Sequence, residues 1–135
     1  MRKFFLMLPL LLLPHKAFAH HPLHREHHYI QHRHTEVGLV SFYGQHWNGR
    51  KTASGQRFHD WMLTCASRTL PLGTMVRVTD ETNGRSVVLQ VNDRGPYVRP
   101  RILDLSEGAA WHLRMLHAGL ARVRVVVLGF RKIHH

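Results

Sequence analysis

The sequence predicts a mainly β protein that folds as a small closed barrel with one or two short helices. Several short segments alternate apolar and polar residues with the two-residue period of a β-strand, most clearly residues 85–92 and 122–128. Asn83-Gly84, the strongest short signal for a hairpin, precedes the first of these segments. Strands this rich in valine would leave adhesive edges in an open sheet, and closure into a barrel removes those edges.

The other strands follow in order along the chain. Residues 37–44 are rich in β-forming side chains and end at a glycine, after which residues 45–56 form a long polar loop. Residues 61–67 are either a short apolar turn or a strand, whereas residues 75–80 and 101–105 have the character of strands. On the last strand the alternation directs three valines inward, Val123, Val125 and Val127.

A short helix is expected after the strand at residues 101–105. Ser106 is typical of a helix N-cap, and Glu107 is favourably placed against the helix dipole. Apolar residues recur at helical spacing as far as Gly119, which predicts that this glycine ends the helix. Trp111 and Met115 are four residues apart, so both are expected to pack on the core.

The N-terminal residues have the composition of an export signal. Arg2 and Lys3 precede an uncharged apolar run over residues 4–14 that is too short to span a bilayer, and Ala17-Phe18-Ala19 offers the small residues that a signal peptidase reads. We therefore expect a signal peptide over residues 1–19 and an exported protein of the periplasm or cell wall. We expect no transmembrane segment, because the apolar run is too short to span a bilayer. We also expect no lipid anchor, because no cysteine follows the signal directly.

The segments that flank the predicted domain are polar or basic. Residues 20–35 are rich in histidine and lack apolar periodicity, which predicts a disordered tail, and residues 131–135 form a basic C-terminal tail. The histidines either bind metal ions or form a soluble basic leader, and the absence of fixed spacing favours the leader. The folded domain is expected over residues 36–130.

The net charge indicates the kind of binding partner, and the cysteine count limits the possible disulfides. The net charge is +11, and it is +8 without residues 1–19, which predicts an anionic partner. An export signal argues against nucleic acid and favours cell-wall polymers or lipid head groups. Cys65 is the only cysteine, so no intrachain disulfide can form, and its apolar neighbours predict burial.

The strand at residues 85–92 ends abruptly in Asn92-Asp93-Arg94-Gly95-Pro96. Gly95 permits positive φ and Pro96 fixes its own φ, so this stretch is a turn. The Asp93 carboxylate either caps the turn or serves as a functional acid at the end of a strand. Residues 91–97 alone favour the cap.

Five stretches occur in the order seen in one known family. Over residues 37–129 the chain resembles the rare lipoprotein A-like family, through GLVSFYG (38–44), GRKTASGQRF (49–58), RTLPLGTMVRV (68–78), NGRSVVLQVNDRGP (83–96) and RILDLS (101–106). The resemblance implies a six-stranded double-psi β-barrel over residues 36–130, related to barwin and to the first domain of expansins.

The resemblance also implies an activity, because characterised members are lytic transglycosylases that cut peptide-poor glycan strands of peptidoglycan. It places Asp93 as the acid that protonates the leaving oxygen and then accepts the proton of the sugar 6-hydroxyl, which closes to a 1,6-anhydro end. A guanidinium against this carboxyl would favour its ionised form, so Arg94 is expected to point into the structure or toward the glycan. No cofactor or metal is implied. Peptidoglycan is the expected partner, and any cell-division partner stays open.

Two positions depart from the family pattern. Gln56 stands where the family commonly has glutamate, and Ser67 where it has histidine, and both positions are implicated in activity. Glutamine and serine can hydrogen-bond sugar hydroxyls but do not transfer protons at neutral pH, so both are expected to bind substrate. His59 is a weaker candidate to compensate for them.

Further residues are candidate sugar contacts. Thr52 either hydrogen-bonds sugar or is only a turn hydroxyl. Tyr43 can stack on a pyranose ring, which would leave Phe42 in the core. Asp104 either lines the same groove or ties its strand to the helix cap. Two tryptophans in or near the polar loop are candidate sugar platforms, Trp47 and Trp61.

Three functions stay open at this point. The first is an exported lytic transglycosylase that uses Asp93, and the intact turn at residues 92–96 favours it. The second is a non-catalytic, expansin-like module that binds peptidoglycan, which Gln56 and Ser67 favour. The third is a metal carrier that uses the histidine-rich tail. The enzyme is our main hypothesis and the binding module its alternative.

Overall fold

The computed structural model of the protein describes residues 34–135. The predicted signal peptide over residues 1–19, and residues 20–33 of the predicted histidine-rich tail, lie outside the described residues.

Six strands, one α-helix and a single 3-10 turn make up the described chain, which confirms the predicted mainly β class. The 3-10 turn is Gln45–Trp47, within the predicted polar loop. The helix, α1, is Glu107–His112. The strands are β1 Thr35–Tyr43, β2 Thr64–Ala66, β3 Thr74–Asp80, β4 Ser86–Asp93, β5 Arg101–Ser106 and β6 Leu120–Phe130.

The strands close into a barrel in the order β1-β5-β2-β4-β3-β6. The β1/β5 and β2/β4 pairs are parallel, and the other four pairs are antiparallel. Strands β1 and β6 extend beyond the predicted bounds. The reason is that β6 pairs with both β1 and β3, from Thr35 opposite Val126 to Thr74 opposite Phe130.

The interior of the barrel is filled by alternate side chains of its strands. Val76 and Val78 of β3, Leu89 of β4 and Val123 of β6 are fully buried. Cys65 is buried as predicted, and burial raises the pKa of its thiol to about 12, so it stays a neutral apolar filler. Phe42 is partly buried and packs against this core.

Helix α1 begins as the sequence predicts but ends earlier. The Ser106 hydroxyl accepts a hydrogen bond from the Ala109 N–H at 3.2 Å, which confirms the N-cap. The prediction that the helix continues to Gly119 is wrong, because it ends at His112. Two side chains of the β3–β4 hairpin region take up carbonyls at this end: Asn83 Nδ2 donates to Leu113 O at 2.9 Å and Arg85 Nε donates to His112 O at 2.7 Å.

The early end of the helix separates the two side chains that were expected to pack together. Arg114 adopts a φ of 57°, so the chain turns away from the helical path. Met115 enters the core, whereas Trp111 is 64% exposed. The prediction that Trp111 packs on the core is therefore wrong.

No helix within residues 34–135 is long and apolar enough to cross a membrane.

Replacement of Leu89 by alanine tests whether the closed interior carries the stability of the barrel. Leu89→Ala should lower the free energy of unfolding by about 2–5 kcal/mol, because it removes buried methyl groups and leaves a cavity. Its neighbour Val88 is 40% exposed, so Val88→Ala should cost less than about 1 kcal/mol. Urea unfolding of both variants measures the difference, and equal losses would contradict this account of the core.

Candidate active site

A cleft of about 490 Å³ lies against the ends of β4 and β1 and along β5. It brings together residues that are far apart in sequence. Six of its residues were candidates from the sequence, and four of these are Tyr43, Thr52, Asp93 and Asp104. The other two are Arg94 and Trp47. The remaining residues are Arg50, Lys51, Phe58, Ala66, Gly95, Pro96 and Tyr97.

Asp93 is held by hydrogen bonds to one of its two carboxylate oxygens. Oδ1 accepts from the backbone N–H of Ala53 at 2.9 Å and from that of Arg94 at 2.8 Å. Within residues 34–135, no hydrogen bond engages Oδ2. The carboxyl is half-buried and lines the cleft. One oxygen therefore orients the group, and the other is free to contact a ligand.

The polar loop over residues 52–56 is fastened to the end of β4. Ser54 N donates to Asn92 O at 3.1 Å, and Asn92 Nδ2 donates to Gln56 Oε1 at 2.9 Å. The Thr52 hydroxyl donates to Gln56 O at 2.7 Å, which closes the loop on itself. The loop therefore holds the Ala53 N–H in position against Asp93.

The turn after Asp93 directs the Arg94 side chain away from that carboxyl. Its guanidinium nitrogen Nη1 donates to Ser67 O at 2.9 Å and to Leu70 O at 2.6 Å. Gly95 has a φ of 127°, which a residue with a side chain rarely adopts. Arg94 thus points into the structure, one of the two orientations that the sequence predicts.

Asp104 faces the same cleft from the neighbouring region of the barrel. Ala66 of β2 pairs with Asp93 on one side and with Asp104 on the other. Two strand spacings therefore separate the α-carbons of the two aspartates, about 10 Å. Asp104 Oδ1 accepts a hydrogen bond from the Ser41 hydroxyl. This contact ties Asp104 to β1, so it both lines the cleft and serves the structure.

Tyr43 lines the cleft together with both aspartates and packs on its aromatic wall. Its ring packs on Phe58, with ring centroids 4.7 Å apart. The hydroxyl is buried and has no hydrogen-bond partner in the described part of the chain. Burial, followed by the negative charge of Asp93, raises the pKa of Tyr43 above its ordinary value. The phenol is therefore neutral and has a proton to donate.

The two positions that depart from the family pattern do not line the cleft. Ser67 is buried, and its hydroxyl accepts from Thr69 N at 3.3 Å and from Leu70 N at 3.1 Å. Gln56 is bonded to Asn92, as described above. Both side chains thus support the segments around Asp93 through bonds within the protein.

Other parts of the cleft were not singled out by the sequence analysis. Arg50 and Lys51 add positive charge, and the Arg50 guanidinium lies 5.2 Å from the centre of the Trp47 ring. Tyr97 is largely exposed at the mouth. Its position directly after the turn at residues 92–96 is the signal that could have identified it. Of the two candidate platforms, only Trp47 lines the cleft.

Replacement of Arg94 tests whether its side chain supports the turn. Arg94→Met should lower the free energy of unfolding by about 1.5–3 kcal/mol, because it removes charge-assisted bonds to two carbonyl oxygens. The control is Arg77→Met, since Arg77 is exposed on β3, and its cost should stay within about 0.5 kcal/mol. Thermal unfolding compares them, and equal destabilisation would contradict the supporting role.

Curated relatives match the chain across the barrel. A protein of Nostoc sp. named "Probable endolytic peptidoglycan transglycosylase RlpA" is 54% identical over 94 residues, which cover 68% of this chain and 25% of that protein. A Campylobacter jejuni protein named "Endolytic peptidoglycan transglycosylase RlpA" is 46% identical over 96 residues, which cover 71% of this chain and 35% of that protein. The chain spans about a quarter to a third of the length of these relatives.

Solved structures with the same fold confirm the predicted double-psi β-barrel. Streptomyces papain inhibitor aligns with a TM-score of 0.58 at 22% identity, over 70% of this chain and 94% of the inhibitor. An expansin of Clavibacter michiganensis aligns with a TM-score of 0.56 at 25% identity, over 76% of this chain and 53% of the expansin.

A family model described as lytic transglycolase matches residues 35–125. The chain therefore belongs to the lytic transglycolase family, as its resemblance to rare lipoprotein A-like proteins predicts.

Proposed function

We propose that the protein is an endolytic peptidoglycan lytic transglycosylase that uses Asp93 as its acid and then its base. The observation that carries this proposal is the Asp93 carboxyl, which is oriented through Oδ1 and has Oδ2 free in the cleft. Relatives that carry the transglycosylase name match the chain over the same barrel, which supports the proposal.

The proposed reaction needs one carboxyl group and no water. Protonated Asp93 gives its proton to the glycosidic oxygen while the bond from that oxygen to C1 breaks. The 6-hydroxyl oxygen of the same sugar then bonds to C1 and closes the 1,6-anhydro ring. The Asp93 carboxylate accepts the proton of that hydroxyl, so it ends the cycle in its starting form.

Neighbouring groups have supporting parts in this proposal. The Arg94 guanidinium stays bonded to backbone carbonyls, so it does not form an ion pair with the Asp93 carboxyl. The neutral Tyr43 hydroxyl can donate to a sugar oxygen that reaches the buried side of the cleft. Asp104, about 10 Å from Asp93 between α-carbons, accepts from sugar hydroxyls through its Oδ2.

The walls of the cleft suit a glycan strand. Trp47 and Tyr97 offer aromatic faces on which sugar rings stack, and Arg50 and Lys51 attract the lactyl carboxylates of muramic acid. Thr52 lines the cleft, but its hydroxyl is engaged with Gln56 O and lies 2.9 Å from the Ser54 hydroxyl. We therefore propose that Thr52 holds the loop and contacts sugar only as an acceptor.

Gln56 and Ser67 act, in this proposal, on the position of Asp93 rather than on the proton. Gln56 bonds the side chain of Asn92, which directly precedes Asp93. Ser67 N donates to Asp93 O at 3.1 Å. A glutamate or histidine at these positions would therefore change the support of the acid.

Export to the cell wall, which the N-terminal sequence favours, would bring this site to its substrate.

Conversion of Asp93 to asparagine tests the proposal. Asp93→Asn keeps the shape of the side chain but cannot transfer the proton, so cleavage should fall about 100- to 10,000-fold. Peptide-free glycan strands are incubated with each protein, and mass spectrometry counts fragments with 1,6-anhydro ends. Glu36→Gln serves as the control, because Glu36 is exposed on β1 outside the cleft, and it should cleave like the parent.

Two results would contradict the proposal, the first in its choice of acid and the second in its choice of an enzyme. If Asp93→Asn produces these fragments at the parent rate, Asp93 does not transfer the proton. Binding of glycan by the parent protein without any fragments, at ample protein and time, would support the non-catalytic binding module.

A further inference from the structure

Two tryptophans outside the cleft line one shallow cavity. Trp61 is 72% exposed and Trp111 is 64% exposed. Both contribute to a cavity of about 350 Å³, together with the acidic residues Asp60 and Glu107. We call these four residues the Trp61–Trp111 surface. Two tryptophans so exposed on one surface are typical of a binding site, since a tryptophan ring without a ligand is usually buried.

The loop that carries Trp61 is fixed on the helix that carries Trp111. Gly108 N donates to Asp60 O at 2.7 Å, and the Ser106 hydroxyl donates to Met62 O. A Cβ atom at Gly108 would lie 2.5 Å from Trp61 O, so only glycine permits this approach. The two tryptophans are therefore held on one rigid support, and a ligand that contacts both pays little ordering entropy.

Each indole is further restrained by a histidine ring. His59 stacks against Trp61, with ring centroids 5.8 Å apart and an interplanar angle of 30°. His112 meets Trp111 edge-on, with centroids 5.1 Å apart. His59, a weak candidate for the cleft by sequence, thus belongs to this second region and does not line the cleft.

The chemistry of this surface fits a chain of sugars. Indole faces pack on the C–H faces of pyranose rings, and carboxylates accept hydrogen bonds from sugar hydroxyls and acetamido N–H groups. A cationic peptide could also use the two carboxylates. Across Trp111, however, a neighbouring cavity of about 260 Å³ is lined by Arg85 and Arg114, whose positive charge repels such a peptide.

A hydrogen bond also links the surface to the segment that carries Trp47. Asp60 N donates to Asn48 Oδ1 at 2.7 Å, and Asn48 directly follows Trp47, which lines the cleft. The connection between β1 and β2 therefore presents Trp47 to the cleft and Trp61 to the Trp61–Trp111 surface.

We propose that the Trp61–Trp111 surface is a second glycan-binding site, which holds uncharged N-acetylhexosamine units of a β-1,4-linked strand apart from the cleft. The choice of glycan as ligand rests on the proposed function. In this arrangement the second site retains the strand while the cleft acts on it.

The three tryptophans of the chain provide separate reporters for this proposal. The full chain with Asp93→Asn, labelled with ¹⁵N, is titrated with N-acetylchitohexaose, and the indole N–H signals are followed by NMR. The signals are assigned with Trp61→Ala and Trp111→Ala. We expect the signals of both residues to move on titration. Trp61→Ala should weaken the affinity read at Trp111 about tenfold. Phe130→Ala removes an aromatic side chain of β6 that is 60% exposed, and it should leave that affinity unchanged.

The outcomes separate this inference from the proposed function. If only the Trp47 signal moves, the second site is overturned while glycan binding in the cleft stands. If Trp61 and Trp111 respond but Trp47 does not, the second site stands, and the proposed function is then decided by the cleavage of peptide-free glycan strands, which carry the lactyl carboxylates that this probe lacks. A response of Trp61 and Trp111 to a pentalysine peptide and not to the oligosaccharide would overturn the glycan assignment. Thermal unfolding near that of the parent shows that each variant is folded.

Discussion

The site depends on the two backbone N–H groups that hold Oδ1 of Asp93. One belongs to Arg94, the next residue, and is fixed by the turn itself. The other belongs to Ala53, forty residues earlier, and reaches Asp93 only because the polar loop is fastened to the end of β4. Charge-assisted bonds of this kind orient a carboxylate strongly, so the loop and the barrel cannot move independently without releasing the acid.

The barrel supplies the frame for this contact. Strand β2, only three residues long, lies between β4 and β5, so the two aspartates face the same cleft from either side of it. Arg94 fastens the turn to the segment after β2 through Ser67 O and Leu70 O. The positive charge next to the acid in sequence is thereby used for structure. The cleft, in turn, receives its positive charge from Arg50 and Lys51 of the loop.

Local signals in the sequence predict the strands, the hairpin and the helix start, because alternation, Asn83-Gly84 and the Ser106 cap each act over a few residues. The helix end was not predictable, since Asn83 and Arg85 of a distant hairpin take up its last carbonyls. Asp93 was identified through motifs far from it. Gln56 and Ser67 lie outside the cleft, and Trp61 and Trp111 lie on one surface. Both placements depend on contacts between distant segments, which a local sequence pattern does not predict.

A crystal structure with a product of the proposed reaction tests the central claim most directly. The protein is crystallised with a short peptide-free glycan that ends in a 1,6-anhydro ring. We expect an oxygen of this ring to lie about 2.6–3.2 Å from Asp93 Oδ2, with Oδ1 still bonded to Ala53 N and Arg94 N. A glycan bound away from the cleft, or an Oδ2 occupied by a protein group in the complex, would contradict the account.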